Sequence, residues 1–145
     1  MAVLLVAVVW ACNDPQRLDA DRAAALVAPH AEHFARVERW VRRTLSADAA
    51  FGDRAALEET LFAPFRRDPE VVAAWVVPAD EEPLVLHGPA EPPVERWVAL
   101  RDPRLGAVRV GRAEATKSHG AWVVLARRLP QGARLFVAYR DDDGG

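Results

Sequence analysis

Val71-Val72-Ala73-Ala74-Trp75-Val76-Val77 is an unbroken apolar run, and it limits the possible folds more than any other stretch of the chain. Its β-branched and aromatic content reads as a strand, and with no polar residue on either side of the pleat both faces must be covered. Two later runs share this character, Ala121-Trp122-Val123-Val124-Leu125-Ala126 and Leu135-Phe136-Val137-Ala138-Tyr139, joined through Pro130-Gln131-Gly132. A sheet centred on three such strands needs a layer on each side. The 145 residues suffice for one domain whose core needs no disulfide staples.

A helical layer is written upstream. Leu18, Leu26, Phe34, Val37, Val41 and Leu45 recur at helical spacing, with Glu32, Arg36, Glu38, Arg39, Arg42 and Arg43 mostly elsewhere. This predicts an amphipathic helix of about 30 residues, bent or broken near Pro29. Asp14 and Pro15 fit its N-cap and first position. Gly52-Asp53 then opens a second helix, with Leu57, Leu61 and Phe65 as its apolar face and Pro64 and Asp68-Pro69 as its stop.

After the first apolar strand come an acidic loop (Asp80-Glu81-Glu82), a short strand (Leu84-Val85-Leu86) and a Pro-rich connection from Gly88 to Pro93. Val94 to Leu100 fits a short helix or a strand. Val108 and Val110, alternating with Arg109 and Gly111-Arg112, read as a half-exposed strand. The expected fold is α+β, with a long N-terminal helix and a second helix packed on a five-stranded, mostly antiparallel sheet. Placing the short second strand and the arginine-bearing third strand at the edges gives the order 2-1-5-4-3, that of a PAS-like sheet. Residues 141–145, Asp141-Asp142-Asp143-Gly144-Gly145, are expected as a frayed acidic tail.

The N-terminal run Ala2 to Ala11 is shorter than the ~20 residues of a membrane span and has the length of a signal-peptide core. Cys12, the only cysteine, follows it, so neither an intramolecular disulfide nor a cysteine-based zinc site can form. Val9-Trp10-Ala11-Cys12 resembles a bacterial lipobox. That resemblance implies lipidation at Cys12, residues 1–12 as the signal segment, and a membrane-anchored protein in the periplasm or on the outer surface. Trp10 is bulky where the lipobox has a small residue, and no Lys or Arg precedes the run, as for a start upstream of Met1. An uncleaved anchor, or a buried strand at Val3–Val9 with Cys12 in the core, is the competing reading. The strand would make the chain a cytoplasmic PAS-like or profilin-like module.

Residues 13–140 resemble an extracytoplasmic single-Cache sensor domain in their layout: long helix, second helix, hairpin, Pro-rich linker and three-stranded meander. Asp68-Pro69-Glu70 leading into Val71–Val77 resembles the start of that family's first strand, and Ala121 to Arg140 around Leu129-Pro130-Gln131-Gly132 resembles its closing hairpin. Arg96-Trp97 resembles its Arg-x-Trp-Tyr element. Val98 stands where an aromatic would follow, and Asp80-Glu81-Glu82-Pro83 lacks the usual turn glycine. The resemblance implies a sensor-type, ligand-binding domain that holds a small molecule between sheet and linker and relays binding to a partner protein. On that layout Arg96 would pair with a carboxylate, and Trp97, Trp122 and Tyr139 would wall the pocket. The plain alternative makes Arg96 solvated and both tryptophans core, as Trp75 is in either case.

Other chemistry is weakly supported. His30 and His33 are neighbours on a helix face, but a stable metal site wants a third or fourth ligand, and His87 and His119 are remote. A solvated helix face is the expectation, with no metal and no cofactor. Ser118-His119 adjacency does not make a dyad, no Gly-rich phosphate loop is present, and an enzyme is not expected. A net charge of −2 supplies no basic field for nucleic acid. The rival to a ligand-binding domain is a structural or assembly lipoprotein acting through protein contacts, and the long helix could also pair two copies. A pocket lined by Arg96 favours the first; a filled interior with an exposed apolar helix stripe favours the second.

Overall fold

The three apolar runs lie next to one another in a single antiparallel sheet. The structure, a computed structural model, describes residues 18–47, 54–80, 82–88, 94, 96–113 and 121–141. Its strands are β1 (Val71–Val77), β2 (Leu84–His87), β3 (Trp97–Asp102), β4 (Gly106–Ala113), β5 (Trp122–Arg128) and β6 (Arg134–Arg140). They form one six-stranded sheet in the order β2-β1-β6-β5-β4-β3.

The expected five strands are therefore six, because the ambiguous stretch before Leu100 is a strand. Trp97 to Asp102 pairs residue for residue with β4, from Trp97↔Gly111 to Asp102↔Gly106. A tight turn closes this hairpin. The Asp102 carboxylate accepts from the Arg104 amide at 2.8 Å, and Gly106 takes a φ of 75°, in the left-handed region that favours glycine. Burial works to raise the Asp102 carboxyl, but hydrogen bonds from the Arg104 amide and guanidinium, with the Leu105 amide, outweigh it and hold the carboxyl below its ordinary value. The arginine-bearing strand β4 is consequently interior, and β3 takes the edge.

The helical layer begins with α1 (Ala20–Val27), where Asp19 accepts from the Arg22 amide at 2.8 Å as the N-cap. A 3-10 turn at Ala28–His30 carries Pro29, and α2 (Ala31–Ala47) continues beyond it, so the long helix is broken where proline was expected to break it. Asp14, Pro15 and Asp53 lie outside the described residues. In α3 (Arg54–Arg66), Leu57, Leu61 and Phe65 are all buried. Pro64 sits inside its last turn instead of ending it; only one amide donor is lost there, and the helix stops at Arg66.

The pleat sorts the side chains into two layers. Ala74, Val76, Leu84, Leu86, Val108, Val110, Val123, Leu125, Leu135, Val137 and Tyr139 pack beneath Phe34 and Val41 of α2 and the apolar face of α3. The other face carries Ala73, Trp75, Ala113, Trp122, Val124, Ala126, Phe136 and Ala138, with Val94 and Trp97 against them. No described helix lies on this second face, and its small residues leave space above the sheet. Asp141, expected in the tail, is buried: its amide donates to the Ala121 carbonyl at 2.9 Å and its carboxylate accepts from Arg112 Nε at 2.8 Å.

Candidate functional site

Strand register builds the site on the second face. Ala99, Arg109, Ala126 and Phe136 stand side by side across β3, β4, β5 and β6. One step toward the β5–β6 turn, Arg128 sits directly opposite Arg134. That pairing is set by the turn itself: Gln131 and Gly132 take φ values of 66° and 77°, and the Leu129 amide donates to the Ala133 carbonyl at 2.8 Å.

Together these rows line a cavity of about 640 Å³, within the usual range for a small-molecule site. Its apolar part is Trp97, Ala99, Ala107, Ala126 and Phe136; Trp97 and Phe136 are tilted against each other with ring centroids 5.7 Å apart. Gly111 makes this possible, because a Cβ there would collide with Val94 and come within 3.0 Å of the Trp97 ring. Leu100, Val108 and Arg127 of the helix-facing rows, and Arg42 of α2, complete the lining.

Among the described residues the polar part is entirely cationic: Arg42, Arg109, Arg127, Arg128 and Arg134 line the cavity, and no acidic residue does. Two of the five are held by Glu38, a buried carboxylate of α2. Its Oε1 accepts from Arg42 Nε at 2.6 Å and its Oε2 from Arg127 Nη1 at 2.8 Å. Arg42 Nη2 also donates to the Arg128 carbonyl at 3.2 Å, which ties α2 to the end of β5. Among the described residues no carboxylate lies within ion-pair distance of Arg109, Arg128 or Arg134. The Arg134 guanidinium stands 5.7 Å from the Phe136 ring centroid, a weak cation–π contact.

The residues singled out from sequence scatter around this cavity. Trp97 lines it. Arg96 is exposed just before β3 and is not part of the lining. Trp122 shares the face but packs in its apolar cluster, paired with Arg140 at the far end of β5. Tyr139 is on the opposite face, fully buried under the helices. Cys12 and the lipobox-like segment lie outside the described residues. Sequence reasoning missed Arg109, Arg128, Arg134 and Phe136, although Arg128 and Arg134 flank a recognisable turn and are bound to face each other once it closes.

Tyr139 belongs to a second constellation. His33, expected on a solvated helix face, is buried, with Nε2 2.6 Å from Asp68 Oδ2 and Nδ1 2.9 Å from the Tyr139 hydroxyl. An ionised Asp68 accepts the Nε2 proton, and in the neutral ring Nδ1 then accepts from Tyr139. His30 stacks on the Tyr139 ring at a centroid distance of 4.5 Å. Burial above all, with the Asp68 and Glu70 carboxylates adding to it and Arg36 opposing, holds the Tyr139 phenol far above its ordinary value. With the hydroxyl enclosed, this group pins α2 to the sheet and offers no surface to a substrate. Among the described residues, no cluster of His, Cys, Asp and Glu is placed to hold a metal ion, and no helix is long and apolar enough to cross a membrane.

No family model, curated protein or solved structure matches this chain. The cavity and its arginines are therefore what any functional reading must start from.

Proposed function

We propose that the chain is a binding domain for a small organic anion, held on the sheet face opposite the helices. The observation that carries this reading is a ligand-sized cavity with an aromatic and alanine floor and, on that face, Arg109, Arg128 and Arg134 with no described carboxylate within ion-pair distance. Guanidinium forks match carboxylate and phosphate oxygens, and a partly apolar wall strengthens that attraction by excluding water. The layout agrees with a Cache-type, PAS-like sensor: leaving out the edge strand β3, the order β2-β1-β6-β5-β4 is that of the PAS-like sheet. The lipobox-like Val9-Trp10-Ala11-Cys12 supports an extracytoplasmic, lipid-anchored setting. An acyl adduct on Cys12, absent from Cys12→Ala, is expected in the intact mass; an unmodified, uncleaved chain would remove that setting.

Binding is relayed through Glu38. Glu38 fastens α2 to β5 through Arg42 and Arg127, and Arg42 also donates to the Arg128 carbonyl, so an anion held at Arg128 shifts the population of helix positions presented to a partner protein. A purely structural role would want an apolar docking stripe, and among the described residues Trp40 is the lone exposed large hydrophobic.

A thermal-shift panel tests the reading. Aryl carboxylates and phosphates are expected to raise the melting temperature, matched aryl amines to leave it unchanged. A ligand at a hundred times its Kd stabilises by about 2.7 kcal/mol, enough to read easily. Indifference to every anion in the panel would refute an anion site.

A further inference from the structure

Several described arginines sit in ion pairs. Arg42 and Arg127 share Glu38, Arg112 has Asp141, and Arg104 has Asp102. Arg109, Arg128 and Arg134 line one cavity, and among the described residues no carboxylate lies within ion-pair distance of any of them. Arg128 and Arg134 form a directly opposed cross-strand pair on one face, an arrangement that like charges destabilise. Arg109, paired with Ala126 in the adjoining row, adds a third charge to the same face. A single carboxylate is satisfied by one guanidinium fork and would leave this cluster strongly positive.

We infer that the ligand is a compact dianion on a flat apolar body, its doubly charged oxyanion end held by Arg109, Arg128 and Arg134 and its body laid against Trp97 and Phe136. The inference rests on the anion-binding reading above and sharpens it to a chemical class, that of organic phosphate monoesters and close-set dicarboxylates. The floor supports the second half: Ala99 and Ala126 flank Arg109 in its row, leaving room for a ring where larger side chains would fill the space.

Isothermal titration with three probes separates the possibilities. Phenyl phosphate carries two charges at pH 8, phenyl sulfate carries one on nearly the same shape, and inorganic phosphate has the charge without the ring. Phenyl phosphate is expected to bind about tenfold or more tighter than phenyl sulfate, the worth of one further charge-assisted contact. That preference should fade near pH 5, where a phosphate monoester, with its second pKa of about 6, carries one charge. Inorganic phosphate should be the weaker of the two phosphates. Arg109→Gln should reduce the phosphate-to-sulfate ratio while phenyl sulfate binding changes less. Equal affinity for phenyl phosphate and phenyl sulfate would overturn the dianion inference and leave the anion site standing. Failure of both aryl probes to bind would overturn the anion site itself.

Discussion

The double variant Arg128→Gln/Arg134→Gln is expected to melt higher than the parent without ligand and to lose its affinity for aryl phosphate. Both side chains are exposed, their strands are held by backbone pairing, and glutamine keeps the part of the stem that covers the sheet. Removing two opposed positive charges relieves about 0.2–1 kcal/mol of cross-strand repulsion, a rise of about 1–4 °C for a domain of this size. The same change deletes two charge-assisted contacts and should weaken binding about 100-fold or more. Scanning calorimetry and titration on the same samples read both effects. Opposite signs mark residues kept for binding at a cost in stability; a lower melting temperature with unchanged affinity would make the pair structural and remove the site.

Alkaline titration should show the second large effect. Tyr139 is the only tyrosine of the chain, so its ionisation is spectroscopically isolated. Its phenol is held well above the ordinary value of 10.0, chiefly by burial. The folded state therefore keeps a proton that the unfolded chain gives up. The contribution of Tyr139 to stability is complete below pH 10 and is lost progressively as pH rises from there toward the folded value, at about 1.4 kcal/mol per pH unit. Near-ultraviolet absorbance should show tyrosinate appearing only with unfolding, and urea denaturation should show stability declining above about pH 10. Tyr139→Phe should flatten that decline but lower stability at neutral pH by about 1–3 kcal/mol, because His33 Nδ1 loses its partner in a buried site. A free tyrosine titration in the native protein would contradict the enclosed His33–Tyr139 contact.

Local pattern carried much of this fold. The break at Pro29, the buried Leu57-Leu61-Phe65 face and the apolar strands β1, β5 and β6 each follow from periodicity within one segment. What pattern could not supply was pairing. Trp97-Val98-Ala99-Leu100 has no polar alternation, so its period does not separate helix from strand; only the hairpin with β4 decides it. His33 looked solvated because its partners are 35 and 106 residues away, at Asp68 and Tyr139. Tyr139 looked like a pocket wall because a strand apolar at every position gives no sign of which face turns toward the helices. The site arginines were visible one at a time as surface charges. They become a cluster through register, and register comes from the Pro130-Gln131-Gly132 turn.

Amide chemical-shift mapping with phenyl phosphate, on the parent and on Ala99→Trp, locates the anion on or off the sheet face away from the helices. Ala99 is exposed, lies outside both apolar clusters and lines the cavity, so a tryptophan there fills the site without disturbing the core. Saturable shifts are expected at Trp97, Arg109, Ala126, Arg128, Arg134 and Phe136 in the parent, and none in the variant. Shifts that centre on the helical face, or that persist unchanged in Ala99→Trp, would contradict an anion site on that sheet face.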